Sequence, residues 1–305
     1  MILKLPPTPD TFVVTGPTSG IGLSVALELS RHGTVVLAGR NAAKLENVRG
    51  RIESQGGRAL TVLCDLSDQA SVRRAAAQIV ALDLPITGLL NNAGVMPLQA
   101  GKTAADWDLT FATNYLGPFA LTEALVPHLP DGARILFVVS AIEDPERKPA
   151  KVMGMRGGRF ISVEASVRGE WLPGAAKLPG VDAYATSKQC GLASTLALAR
   201  ENPRLPINAF EPGINPDTGL GGANAVMRFV FSQIVTRLPP FSQYRSTPDD
   251  AARVITTILT DRSRRTGLYY DEKGKPMTGS PLAHDPAFQD RVVAETRAFL
   301  AKPAA

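Results

Sequence analysis

Cysteine and aromatic residues are scarce in this chain of 305 residues, which holds two Cys and 6% Phe, Trp and Tyr together. Cys64 and Cys190 have neither CxxC nor metal-ligand spacing, and Cys64 lies in an apolar run. Both therefore read as buried structural thiols in a reducing cytoplasm, with no metal expected. The 33 Lys and Arg against 28 Asp and Glu, formally +5, are scattered, with no basic tract and no interleaved aromatic platform. That excludes nucleic acid as the expected partner, while a mildly positive field suits an anionic cofactor. No apolar run approaches the roughly 20 residues that span a bilayer. A membrane span is thus not expected, although peripheral contact stays open. The proline-rich start, Met1 to Asp10, lacks the charged-then-apolar order of a secretory leader, so export is not expected.

What is present is an ordinary globular composition, 44% hydrophobic and 20% charged, enough for one large core over residues 1–305. Short apolar or β-branched runs at 12–15, 34–38, 60–64, 88–91, 135–139 and 207–210 read as strands buried on both faces. A seventh is expected at 267–270. Between them, 21–32, 42–54, 68–82, 104–127, 184–201 and 247–260 carry helical periodicity, and 286–301 supplies a closing helix. This alternation predicts an α/β, Rossmann-type, doubly wound and mostly parallel seven-stranded sheet with helices on both faces. Two stretches break the rhythm. Residues 141–183 are rich in Gly, Pro and charge, and 214–246 surrounds an apolar helix candidate, Val226 to Leu238. Connections of this length are usually functional lids or disordered segments.

After the first strand comes Thr15-Gly16-Pro17-Thr18-Ser19-Gly20-Ile21-Gly22, leading directly into a helix. Glycines there permit a tight turn and let a pyrophosphate approach the helix N-terminus, with its unpaired N–H groups and positive dipole end. At the end of the second strand, where NAD binding would place an acid on the ribose 2′-hydroxyl, the chain has Arg40. A guanidinium pairs with a 2′-phosphate, so NADP(H) is the expected cofactor.

In this pattern the chain resembles the short-chain dehydrogenase/reductase superfamily, in its compact single-domain branch. Residues 15–22 match the glycine pattern TGxxxGxG, and Asn91-Asn92-Ala93-Gly94 is similar to the NNAG signature beside the adenosine. Asp65, followed by Leu66, stands where the family places an Asp against the adenine. Tyr184-Ala185-Thr186-Ser187-Lys188 matches YxxxK. Residues four apart share a helix face, so the Lys188 ammonium is expected beside the Tyr184 phenol, favouring its phenolate. The resemblance makes Tyr184 the general acid/base and Lys188 a holder of the nicotinamide ribose. Ser140 would polarise the substrate carbonyl, and Asn114 would anchor a water linked to the lysine. Pro212-Gly213, with Ile214 beyond, is similar to the family's PG turn along the nicotinamide. A threonine normally stands four residues after that glycine; here Asp217 holds the place and Thr218 follows, so Thr218 is the expected carboxamide contact.

The implied function is hydride transfer between NADP(H) and a carbonyl or alcohol substrate, with a bulky apolar ketone or aldehyde favoured by the apolar segment 226–235. A non-catalytic NADP-binding sensor or scaffold is the alternative. Ser140 and Tyr184 are farther apart than is usual in the family, so 141–183 reads as an insertion beside the active site. The nearest branch is the retinol-dehydrogenase and carbonyl-reductase-like one. A homodimer through the helices near 104–127 and 184–201 is expected by the same resemblance.

Overall fold

The computed structural model describes residues 10–97, 99–174, 179–215, 238–239 and 241–302. Thr218 and most of the apolar segment 226–238 lie outside the described residues. The strands β1 (Asp10–Thr15), β2 (Gly33–Gly39), β3 (Arg58–Leu63), β4 (Ile86–Asn91), β5 (Arg134–Val138), β6 (Ile207–Phe210) and β7 (Tyr269–Tyr270) pair in parallel, in the order β3-β2-β1-β4-β5-β6-β7. An eighth strand, β8 (Pro276–Met277), adds antiparallel to β7 at the edge. Between β1 and β4 the winding reverses direction, and the chain leaves the two strand ends on opposite faces of the sheet. Open α/β sheets form a ligand crevice at such a point.

Alternate residues of β1 explain why both faces must be covered. Phe12 and Val14 point into a core shared with α1 (Gly20–Leu29), α2 (Ala42–Glu53) and α9 (Pro248–Thr260). Val13 points into the opposite core with α3 (Gln69–Ala81), α5 (Gly117–Leu125), α8 (Pro179–Glu201) and α10 (Pro286–Leu300). Full burial of each large apolar side chain contributes roughly 1.5–3 kcal/mol, which is available to β1 only when helices cover both faces. The expected start of α9 is a capping box: the Thr247 hydroxyl accepts from the Asp250 N–H and the Asp250 side chain accepts in return, with Pro248 in the first turn.

The long helix expected over 104–127 is instead a short α4 (Leu109–Phe111), a π-helical turn (Ala112–Leu116) and α5. Asp106, at φ 59°, turns the chain before α4. The π turn contains Asn114, and wide turns of this kind occur mostly at functional sites.

The insertion is also more regular than its composition suggests. It carries α6 (Lys148–Val152) and α7 (Val163–Arg168), while α8 begins at Pro179, before the expected start. The N-terminus of α7 is held by α10: the Glu295 carboxylate accepts from the Val163 N–H at 2.9 Å, and Phe160 stacks edge-on against Phe288 at 5.4 Å. From α10, Arg297 pairs with Glu123 on α5 at 2.8 Å and Glu201 on α8 at 2.6 Å, and Thr296 shares a hydrogen bond with Tyr115 at 2.7 Å. The seam between α5 and α8, where dimer contacts were expected, is therefore covered by the chain's own last helix.

Candidate active site

The glycine turn after β1 is shaped by close backbone contact. Gly16 adopts φ +66°, and a Cβ there would press on Ala93 at 2.9 Å. A Cβ on Gly22 would collide with the Gly16 carbonyl and with the Asn92 amide. Asn92 ties the turn to the end of β4, its Nδ2 donating to the Thr15 carbonyl at 3.0 Å and its N–H to the Thr15 hydroxyl at 2.9 Å. Ser19 precedes α1 without capping it through its hydroxyl, so the first N–H groups of the helix face the crevice uncapped by that side chain. An anion is well suited to that position.

From this turn a cleft of about 830 Å³ runs across the C-terminal ends of β2, β1, β4 and β5. Gly16, Thr18, Ser19, Gly20, Ile21 and Gly22 form one wall. Arg40 stands at the end of β2, exposed, and Lys44 on the first turn of α2 also faces the cleft. Lys44 was missed in the sequence, although its place four residues after Arg40 was a usable signal. Asp65 and Leu66 line the side beyond β3. The Asp65 Oδ1 already accepts from the Ser67 N–H at 2.9 Å and hydroxyl at 2.7 Å, which fixes the carboxylate's direction. Asn92, Ala93 and Gly94 form the floor, and Tyr184, Lys188 and Pro212 close the far end. Cys64 also lines the cleft, but burial pushes its thiol up to about 12, so it offers no thiolate.

Four expected residues lie just behind this lining. Asn114 is clamped, its Oδ1 accepting from the Val95 N–H and its Nδ2 donating to the Val95 carbonyl, each at 2.8 Å, with Ser187 Oγ at 3.3 Å. The Asn114 oxygen and Lys188 Nζ both lie beside Gly94, 3.4 and 3.7 Å from where a Cβ there would stand, so the two groups converge on one point of the cleft floor. Ser140 caps the turn of 3₁₀ helix at Ala141–Glu143, its hydroxyl accepting from the Ile142 N–H, and it acts on the Tyr184 phenol to lower it. Gly213, at φ +72°, and Ile214 form the turn after β6, where Ile214 donates to the Tyr244 carbonyl at 2.8 Å.

Lys188 Nζ donates to the Val138 carbonyl at 2.8 Å and lies 5.4 Å from the centre of the Tyr184 ring. The adjacency read from YxxxK is present, but its electrostatic consequence differs from the expectation. Burial is the largest influence on both groups: it lowers Lys188 to about 8 and raises the Tyr184 phenol, and the buried Glu211 carboxylate raises the phenol further. The Ser140 hydrogen bond acts in the opposite sense and is weaker. Tyr184 is accordingly a protonated acid in this site and not a phenolate. Glu211 itself, between β6 and the Pro212-Gly213 turn, was missed in the sequence; a carboxylate directly after a fully buried strand was the available signal.

Residues 10–152 match the family model described as short chain dehydrogenase. Over 146 residues the chain is 37% identical to a human polyprenol dehydrogenase, covering 45% of this chain and 44% of that protein. It thus spans less than half of that relative's length. It is 28% identical to human retinol dehydrogenase 13 over 94% of this chain and 83% of that protein. Among solved structures, a blue fluorescent protein from a metagenomic library in complex with NADPH superposes with TM-score 0.65 at 26% identity, covering 87% of this chain and 97% of that one. The chain belongs to the short-chain dehydrogenase/reductase superfamily. Its parallel sheet flanked by helices is the fold of that family. No helix among the described residues is long and apolar enough to cross a membrane.

Proposed function

We propose that this short-chain dehydrogenase/reductase is an NADP(H)-dependent oxidoreductase that reduces the carbonyl of a bulky apolar ketone or aldehyde, or oxidises the corresponding alcohol. The observation that carries the reading is one continuous cleft with Arg40 and Lys44 at one end, the glycine turn in the middle, and Tyr184 with Lys188 at the other. The residues present fit a phosphorylated dinucleotide. The glycines leave room for close backbone approach, the α1 N-terminus suits a pyrophosphate, and two cations suit a 2′-phosphate. Asp65 and Leu66 would hold the adenine, Asn92 to Gly94 the adjoining ribose, and Pro212 to Ile214 the nicotinamide side. Thr218 remains the proposed carboxamide contact.

When bound, the nicotinamide supplies a hydride for the substrate carbon. Tyr184 carries the proton for the carbonyl oxygen, and its raised affinity for that proton keeps it loaded at neutral pH. The Ser140 hydroxyl, held next to the tyrosine, donates to the oxygen as negative charge grows there, an interaction stronger in the transition state than before it. Lys188 offers donors to the nicotinamide ribose, and Asn114, clamped near Nζ, is placed to hold a water that resupplies protons. Similarity to a polyprenol dehydrogenase and a retinol dehydrogenase supports an extended apolar substrate.

The test is oxidation of NADPH and of NADH against aliphatic, aromatic, terpenoid and steroid carbonyls, with Tyr184→Phe and Arg40→Asp as variants. Turnover should fall by about 10²–10⁴ in Tyr184→Phe, the usual contribution of a general acid. Arg40→Asp should lose its preference for NADPH over NADH. Tight NADPH binding without turnover on any carbonyl would replace this reading with an NADP-binding sensor.

A further inference from the structure

The Glu211 carboxylate is buried, and each of its oxygens accepts a different backbone N–H: one from Ala141, directly after Ser140, the other from Gly213 at 3.0 Å. Two functional turns from separate strands are therefore joined through a single side chain. Gly213 has little freedom to find another partner, because its φ of +72° and the close Tyr244 carbonyl leave no space around its Cα. A hydrophobic side chain at 211 would orphan both N–H groups in the interior.

We propose that Glu211 is a positioning residue for carbonyl reduction: it fixes the Ser140 turn against the Gly213 turn, so that the hydroxyl facing the substrate oxygen and the wall beside the nicotinamide keep a constant separation. This rests on the reductase reading above. The bridge needs both charge and reach. Burial raises the Glu211 carboxyl above the usual carboxylate range, and the two N–H donors, one per oxygen, act against that in favour of the ionised form. Glutamine has one acceptor oxygen and would turn its own N–H₂ toward the other donor. Aspartate keeps the charge and is one methylene short.

The charge also bears on the proton chemistry. Facing Glu211 are Glu143 and Arg147 from the segment after β5, Tyr184 and Lys188 from α8, and Tyr269 and Glu272 from β7 and the turn beyond. Arg147 stacks on Tyr244 at 4.7 Å and lies 4.0 Å from Glu272, so its charge is shared between two carboxylates. Burial is the main influence that keeps the proton on Tyr184, and the Glu211 carboxylate adds to it.

Wild type, Glu211→Gln and Glu211→Asp are compared by amide hydrogen exchange and by the pH profile of kcat for NADPH-dependent reduction. In Glu211→Gln the Ala141 and Gly213 amides should lose protection while β1 and β4 keep theirs. Its kcat should fall about tenfold or more, as for small misplacements of reacting groups, with KM for NADPH changed less than about threefold. The alkaline limb of its profile, set by Lys188, should move to lower pH, because the Glu211 charge also raises the lysine. Glu211→Asp should restore the limb and leave kcat low. Unchanged exchange at the two amides overturns the proposal, as does a general loss of protection with kcat and KM altered together and the limb unmoved. If wild type reduces no carbonyl, the reductase reading fails, and the exchange at Ala141 and Gly213 still decides whether Glu211 joins the turns.

Discussion

At the residue scale, burial acts on the Tyr184 and Lys188 pair in opposite senses, and this gives the free enzyme a defined pH response. The lysine, brought from an ordinary 10.5 to about 8, loses its charge within the range of ordinary assays, whereas the phenol keeps its proton through that range. A neutral Lys188 offers fewer donors to a ribose and no positive charge beside the site. Since kcat/KM reports groups of the free enzyme, kcat/KM for NADPH should decline with a one-proton slope above about pH 8. The limb belongs to Lys188 and not to Tyr184, so Tyr184→Phe, measured through NADPH affinity, should keep the same midpoint. A midpoint that moves with Tyr184→Phe would assign the titration to the phenol instead.

At the scale of elements, Glu143 shows how the segment after β5 is locked. Its carboxylate accepts both the N–H and the hydroxyl of Ser280, and its carbonyl accepts from Gly158 at 3.0 Å, so one residue joins the 3₁₀ turn, the insertion and the chain beyond β8. Burial raises this carboxyl from 4.5 to about 7, against the Ser280 hydrogen bonds, which lower it. A raised acid binds its proton more tightly in the folded state, so the associated stability is full below pH 4.5 and is lost as pH rises through about 7. That interval corresponds to about 3 kcal/mol. Denaturant melts at pH 5 and pH 8 should therefore show Glu143→Gln losing less stability than wild type, by about 2–3 kcal/mol; parallel behaviour of the two would refute the assignment. None of this was legible in the sequence, because Glu143, Gly158 and Ser280 are brought together by tertiary packing alone. The same reason hid α7, whose N-terminus is satisfied by Glu295 from the other end of the chain. By contrast, the seven parallel strands were legible, since their apolar runs are local and buried on both faces. The glycine turn, Arg40 and Asn92 were legible because each sits at a fixed offset from a strand end, and Tyr184 and Lys188 because their four-residue spacing puts them on one helix face. Asn114 was found through the resemblance, but the π turn that holds it was not legible. Two-residue β8 carries no periodicity to read.

At the scale of the whole molecule, the last helix decides what the α5 and α8 surface can do. Phe288, Val292 and Val293 of α10 are buried in the core shared with α8. Trp107 packs edge-on against Phe299 at 5.1 Å, and Arg297 bridges Glu123 and Glu201 across the seam. A second copy could reach the buried length of α8 only by displacing this helix, and each large apolar side chain stripped from it would forfeit roughly 1.5–3 kcal/mol. Self-association through the buried face of α8 is thus opposed by the chain's own packing. Light scattering on the full 305-residue chain should give no dimer that depends on α5 and α8. Charge reversal at Glu123 or Glu201 should lower thermal stability, through the lost Arg297 bridge, without changing the molar mass. Removal of residues 286–305 should expose the apolar face and produce self-association. A full-length dimer that dissociates on substitution within α5 or α8 would show that α10 yields its place to a partner, and the covered seam would then be an interface held shut by the free chain.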